Sequence, residues 1–314
     1  MKKITNCDLC GKSNLEFLFK SSDRNYNVPG EYSYCKCRNC GLIFMNPQPN
    51  AEEILKHYPK KYFPFMSNSP TNINKMLYRT FYSKNGSFLF KIIFSPLKPF
   101  MRSYVKKLNG KLLDVGCGSG DFLIFMREHG MQCYGVEPGE FNKKLMKENG
   151  IKVLNTTLKK ARYEKDYFDI ITINHVLEHV SNPEETLKEL YRILKPNGTL
   201  IIATPQSNCI AYKIFGRDWT QLDVPRHLFI FSTKILEKYA TKIGFKFVKT
   251  RYNSTPFQFS SSVFYWLNSH SRKKRYLSES RIFYNPLIFV ILMPFAYLCN
   301  IFGVGDQIEV FLTK

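Results

Sequence analysis

Between Leu112 and Gly120 the chain runs Leu-Leu-Asp-Val-Gly-Cys-Gly-Ser-Gly, an apolar strand closed by an acid and followed by three alternate glycines that open a helix. No other stretch narrows the fold so far. Glycine tolerates the positive φ that a strand-to-helix reversal requires, and the missing β-carbons let a ligand approach the main chain. The pattern is that of a nucleotide-binding turn, with Asp114, Gly116, Gly118 and Gly120 as candidate contacts. It holds no basic residue and no Gly-Lys-Ser/Thr, so nothing in it neutralises a di- or triphosphate. A ligand without phosphates fits better. Downstream, Gln132 to Pro138 reads as a second strand ending in Glu137, whose carboxylate suits the two hydroxyls of a ribose.

Taken together these residues resemble the class I S-adenosylmethionine-dependent methyltransferases, in which the glycine turn approaches the amino-acid tail of the cofactor and the acid after the second strand holds its ribose. Phe168-Asp169-Ile170-Ile171-Thr172-Ile173-Asn174 resembles that family's fourth strand, with Asn174 at the cofactor edge, and His175-Val176-Leu177-Glu178-His179-Val180 follows it. Leu194-Lys195-Pro196-Asn197-Gly198-Thr199-Leu200 resembles the turn into the fifth strand. The resemblance covers residues 110–252 and implies S-adenosyl-L-methionine as cofactor.

The pattern of apolar runs agrees with an α/β fold. Strands are expected over 111–115, 132–137, 151–155, 169–174, 199–204 and 245–252, and helices over 119–129, 139–149, 182–194 and 232–243. Alternation at this interval implies a mostly parallel sheet with helices on both faces. Continuous runs such as Leu200-Ile201-Ile202-Ala203 fit strands covered on both sides. Asp306 to Leu312 resembles the family's antiparallel seventh strand, which completes a Rossmann-like sheet.

At 314 residues with 44% apolar content the chain is long enough for a sizeable core. Its 46 Lys and Arg against 25 Asp and Glu give a formal charge of +21, which favours an acidic partner: nucleic acid, anionic lipid headgroups or a phosphate-bearing substrate. The first residues lack the apolar run of a secretory signal, so a cytoplasmic location is expected. In a reducing compartment clustered cysteines point to a metal. Cys7-Asp8-Leu9-Cys10-Gly11 and Cys37-Arg38-Asn39-Cys40-Gly41 form two Cys-x-x-Cys-Gly knuckles, and four such thiolates suit a closed, structural tetrahedral zinc site. Cys35 lies nearby without the knuckle pattern, and Cys117, Cys133, Cys209 and Cys299 read as small buried hydrophobes.

Asp23-x-x-Tyr26, Cys40 to Pro49 and Ala51 to Tyr58 resemble the ribbon-plus-helix lead of bacterial methyltransferases of sugar and surface-polysaccharide pathways. The expected organisation is a zinc ribbon over 1–50, a helical linker or lid over 51–109, the cofactor-binding core over 110–252, a helical insertion over 253–305 and the last strand over 306–314. Within the linker, helices are expected over Asn72–Asn85 and Ser87–Leu108, broken at Pro96 and Pro99. The insertion carries a basic cluster, Ser271-Arg272-Lys273-Lys274-Arg275-Tyr276, and then Leu287 to Val304, uncharged throughout. A bilayer span needs about 20 apolar residues, so this stretch suits the lipid interface, a buried core helix or a dimer contact better than a crossing. Each basic residue beside it is worth about 1 kcal/mol at an anionic surface.

A hydroxyl acceptor needs a proton removed. Pro225-Arg226-His227-Leu228-Phe229-Ile230-Phe231-Ser232 resembles a Pro-x-His-Leu-x-x-Phe-Ser segment at the substrate cleft of similar proteins, which makes His227 the first candidate base, with hydrogen bonding to Asp223 as its structural alternative. His175 is the second candidate. Glu178 and His179 read as residues that steady its turn. The expected activity is O-methylation of a sugar or lipid-linked saccharide for the cell surface, peripheral on the inner membrane face. Alternatives are an RNA-directed enzyme and a quinone or polyprenyl-phenol O-methyltransferase. No Asn/Asp-Pro-Pro-Tyr/Phe run occurs, which argues against nucleic acid.

Overall fold

The computed structural model describes residues 1–26, 28–50, 53–54, 56–58, 80–81, 88–102, 109–269, 271 and 285–314. Three short strands come first: β1 (Leu15–Ser21), β2 (Tyr32–Cys37) and β3 (Ile43–Met45), then helix α1 (Phe88–Ile93) and a 3-10 segment over Ser95–Phe100. The chain next alternates through β4 (Lys111–Val115), α2 (Asp121–Glu128), β5 (Gln132–Val136), α3 (Lys143–Glu148), β6 (Lys152–Leu154), α4 (Leu158–Ala161), β7 (Phe168–Asn174) and α5 (Pro183–Ile193). It continues with β8 (Leu194–Pro205), α6 (Ile210–Phe215), β9 (Phe229–Ile230), α7 (Thr233–Ile243) and β10 (Lys246–Tyr252). Two further helices, α8 (Phe257–Ser269) and α9 (Pro286–Ile301), precede β11 (Gln307–Thr313). The helix expected over Asn72–Asn85 lies outside the described residues apart from Thr80 and Phe81, which are helical. So does the basic cluster after Ser271.

Seven strands form the main sheet in the order β10-β11-β8-β7-β4-β5-β6. The ladders from β8 to β6 are parallel, and β11 is antiparallel to both of its neighbours. Leu200, Ile201, Ile202 and Ala203 are all buried, as a strand covered by helices on both faces requires. Helix starts follow the side-chain caps. Asn142 accepts the Leu145 amide at 3.0 Å and so delays α3 to Lys143, while Asn182 and Ser232 cap α5 and α7. The expected turn at Leu194–Gly198 is instead part of β8, with Asn197 at φ 61° and a register break opposite Phe168 and Ile170. A left-handed residue inside a bulge performs the reversal without ending the strand.

The ribbon is not a separate layer. β3 pairs antiparallel with β9, Ile43 opposite Ile230 and Phe44 opposite Phe229, so one four-stranded sheet joins the first three strands to a segment nearly 200 residues further along the chain. A single apolar cluster then runs from Tyr34, Phe44 and Met45 through Phe231 to Ile171 and Ile202. At the seam lies Arg226, 0% exposed. Its guanidinium donates to Asp23 at 2.8 and 3.1 Å, to Asp223 at 2.6 Å and to the carbonyl of His57 at 2.9 Å, and it sits 4.9 Å from the Tyr26 ring. Burial opposes its charge, but the two carboxylates outweigh that cost and raise its pKa further. The first knuckle is tied down as well: Tyr239 donates to Asp8 at 2.6 Å and Lys242 to the Leu9 carbonyl at 2.9 Å.

Helix α9 buries only Ala296 and Cys299 and leaves Leu287, Val290, Ile291, Leu298 and Ile301 exposed. Asn300 anchors it, exchanging hydrogen bonds with the main chain of Ser254. Of the alternatives for this stretch, this exposure excludes the buried core helix and leaves the lipid interface and a dimer contact. No helix among the described residues is long and apolar enough to cross a membrane.

Removing one partner of a buried ion pair leaves an uncompensated charge and costs about 3–5 kcal/mol. Arg226→Ala should lose that much stability in urea denaturation. Arg226→Lys should recover only part of it, because an ammonium cannot bridge two carboxylates in a fork.

Candidate active site

The glycine turn lies at the carboxyl end of β4. Gly116, Gly118 and Gly120 have φ of 70°, 53° and 81°, all left-handed. A β-carbon at Gly116 would fall 2.3 Å from Val176 Cγ2, and one at Gly120 2.5 Å from Met146 Sδ. At these two positions it is the protein's own packing that excludes a side chain, in addition to any ligand. Glu137, just past β5, accepts the Gly118 amide at 2.8 Å and the Gly139 amide at 2.7 Å. Burial pushes its carboxyl above the usual range against the pull of those amides. An ionised carboxylate offers about four lone-pair sites, so two remain for ribose hydroxyls.

Asp114 is fully buried and already partnered. It accepts from Arg102 Nη2 at 2.8 Å and from Thr172 Oγ1 at 2.6 Å, and Arg102 stacks 4.0 Å over Phe122. The acid thus acts on the cleft through Arg102, which the sequence reading missed. An acid at a strand end calls for a cation, but nothing local says which arginine supplies it. A buried acid, a backbone freed of β-carbons and a cation beside them fit an adenosine and a zwitterionic amino-acid tail. Such a cofactor would find Glu137 for its ribose and Arg102 for its tail carboxylate. Asn174 ends β7 and is half-buried.

The turn after β7 carries two histidines and a buried glutamate. His175 has φ 53° and its side chain is 37% exposed, with Nδ1 donating to Glu178 Oε1 at 3.2 Å. Burial would raise the Glu178 carboxyl, but the His175 hydrogen bond and the charges of His175, His227 and His179 outweigh it and hold it at about 2. Its contribution to stability is therefore complete above the ordinary glutamate pKa of 4.5 and is lost as pH falls toward 2. His227 is only 6% exposed and donates from Nδ1 to the Gln221 carbonyl at 2.7 Å. The structural alternative is met through the main chain, the His227 amide donating to the Asp223 carbonyl at 3.2 Å, while the imidazole Nε2 stays 3.9 Å from that carboxylate and 4.0 Å from Glu178. His179 donates to the Arg226 carbonyl at 2.9 Å, and burial with the neighbouring His227 pushes its pKa down to about 4. Glu178 and His179 thus stitch the β7 turn to the 223–228 loop, helped by the Leu228 amide on the Glu178 carbonyl at 2.8 Å.

The four knuckle cysteines converge. Cys7 and Cys40 Sγ are 3.5 Å apart, as are Cys10 and Cys37, and all four sulfurs lie within 4.8 Å of one another. Zinc–thiolate bonds of about 2.3 Å imply sulfur separations near 3.8 Å in a tetrahedron, so the residues fit that ion. Cys35 stays outside the cluster, within β2. The other four cysteines are buried and unpaired by disulfides.

Two outcomes follow from this geometry. Elemental analysis of the purified chain should find about one zinc per chain, and its removal by a chelator should lower the thermal midpoint. Gly116→Ala imposes about 1–2 kcal/mol of backbone strain in a left-handed conformation and displaces Val176. Calorimetry should show affinity for S-adenosylmethionine weakened by roughly tenfold or more, and an unchanged constant would remove the turn from the site.

Comparison with known proteins gives the same picture. A methyltransferase domain model matches residues 82–250, more than half of the chain. The ubiquinone biosynthesis O-methyltransferase of Actinobacillus pleuropneumoniae is 31% identical over 165 residues, 47% of this chain and 69% of that protein. The protein of the same name from Pseudomonas entomophila is 31% identical over 125 residues, 37% of this chain and 54% of its own length. Among solved structures, a Thermotoga maritima methyltransferase described as a possible histamine N-methyltransferase aligns at TM-score 0.45 and 20% identity, over 76% of this chain and 98% of that one. With the match spanning the glycine turn, Glu137 and the β7 turn in one run, the chain belongs to the class I S-adenosylmethionine-dependent methyltransferases.

Proposed function

We propose that this methyltransferase acts on a hydroxyl oxygen of a lipid-borne acceptor, a polyprenyl phenol of the quinone type being the reading its relatives support. The observation that carries O-transfer is the His175–Glu178 pair beside the glycine turn. S-adenosylmethionine, when bound, supplies a methyl group already activated by its sulfonium charge. The protein's share is to align the acceptor, exclude water and take one proton. With Nδ1–H held by a carboxylate, His175 keeps the Nε2 lone pair free for the acceptor hydroxyl. His227, buried and bonded to its own loop, is assigned a positioning role instead. The zinc is assigned a structural role, because four thiolates leave no open position.

The exposed apolar face of α9 supports a lipid-borne acceptor and a peripheral place on an anionic membrane surface. The ribbon favours a second reading. Its sequence resembles the lead of sugar-pathway methyltransferases, and it lies outside the family match, joined to the core through β9. On that reading the acceptor is a lipid-linked saccharide.

Methyl-labelled cofactor incubated with a membrane-plus-cytosol extract, followed by lipid extraction, tests both. Label in a prenylated phenol supports the first reading and label in a lipid-linked sugar the second. No label in any lipid fraction would sink the proposal. His175→Gln should reduce transfer by about 100-fold or more, the usual weight of a general base.

A further inference from the structure

Between the ribbon and α8 lies a recess of about 210 Å3 that opens to solvent. Three segments far apart in the sequence wall it: Ser21 to Asn25 at the end of β1, residues from 217 to 224 before β9, and Tyr265 of α8. Side-chain bonds lock these walls to one another. Asn25 donates to Asp223 and accepts from the Tyr265 hydroxyl, while Asp218 takes both Arg24 and the Ser269 hydroxyl, the latter at 2.7 Å. Arg24 also lies 5.8 Å over the Tyr265 ring. Walls held this way are in place before a ligand arrives, which lowers the ordering cost of binding.

The recess is rich in donors and short of acceptors. Trp219 lines it and is 1% exposed, and its indole N–H meets no acceptor among the described residues. A buried donor left unpaired costs about 1–3 kcal/mol, so it calls for a ligand or an ordered water. The Ser21 and Ser22 hydroxyls and two guanidiniums, those of Arg24 and Arg217, line the same space. The ion pairs at this seam are Arg24–Asp218, Arg226–Asp23 and Arg226–Asp223, and Arg217 is in none of them. Among the described residues the wall holds one carboxylate, Asp223, which is engaged by Arg226 and Asn25. A guanidinium without a carboxylate of its own, beside hydroxyls and an indole N–H, selects an oxyanion. The donors come from separate walls, which suits the several oxygens of a tetrahedral phosphate better than the two of a planar carboxylate.

We propose that this recess is a phosphate-binding site: Arg217, Trp219, Ser21 and Ser22 donate to the oxygens of a phosphate group, and Arg24 adds charge. Any organic part of the ligand leaves through the open side. The site makes hydrogen bonds only and changes no covalent bond. It is separate from the glycine turn and does not depend on which atom receives the methyl group. Asp223 and Val224 lead directly to Arg226 and His227, so an anion here fastens the ribbon to the loop that supports the turn after β7.

The chain has two tryptophans, and Trp266 is 46% exposed. Trp266→Phe in the full chain therefore leaves Trp219 as the sole indole reporter. Three phosphate probes are titrated against sodium chloride at matched ionic strength: inorganic phosphate, a short-chain prenyl monophosphate, and vesicles containing phosphatidylglycerol. At least one should change Trp219 emission saturably and raise the thermal midpoint, as a ligand that binds only the folded chain does. Chloride should do neither. A response to inorganic phosphate identifies the free ion as sufficient, one to the prenyl ester alone a lipid-borne ester, and one to the vesicles alone a membrane headgroup; each supports the site. Arg217→Ala, at an exposed position, and Ser22→Ala should each weaken that binding roughly 10-fold, the weight of one hydrogen bond to a charged group. Their midpoints without ligand should match the parent's, which loss of fold would not allow. No saturable response to any probe, a response that chloride reproduces, or variants that bind as tightly as the parent would overturn the site and leave the recess to an ordered water.

Discussion

The buried guanidinium of Arg226 is the interaction on which the two halves of the molecule depend. Taking one cation and two carboxylates out of water carries a desolvation cost of several kcal/mol per ion. Only a geometry that satisfies nearly every donor offsets it. Here Asp23 comes from the segment between β1 and β2, Asp223 from the loop before β9, and a carbonyl from His57. The Asp23 carboxylate also accepts the amides of Asn25 and Tyr26, so its own turn is folded around the same charge. Apolar packing between β3 and β9 would tolerate sliding. A fork clamped on two acids does not, and it fixes the register at which the ribbon meets the 223–228 loop.

That register reaches the cleft by short covalent steps. His227 follows Arg226 directly, and the Arg226 carbonyl is the acceptor for His179. Glu178, held ionised among three imidazoles, orients His175 beside the glycine turn. The cleft is thus organised by a polar chain that begins in the ribbon and ends at the exposed imidazole. A ribbon joined only through a flexible linker could not have this effect on the site.

Much of this was legible in the sequence. Spacing revealed the four-cysteine cluster, because its ligands come in local pairs. The alternation of apolar runs revealed the parallel sheet, and the acid-glycine pattern revealed the turn at β4 with Glu137 opposite. Hidden features share another trait: each is a single residue whose partner is distant in sequence. Arg102 and Arg226 show no periodicity or motif that announces a partner. β9 is two residues long, too short for any alternation to register, yet it carries the link between sheets. The choice between His227 and His175 was likewise invisible, since it turns on which ring is covered by its own loop.

β11 lies between β8 and β10 although both are earlier in the chain. Until residues 307–313 emerge during synthesis, β8 has an open edge and β10 has no partner in the main sheet. The nascent core must therefore wait with its inner ladder unzipped while the apolar α9 is already outside the ribosome. The sheet closes after its greasiest helix has appeared, an order in which a nearby lipid surface or a chaperone would act before the fold is complete.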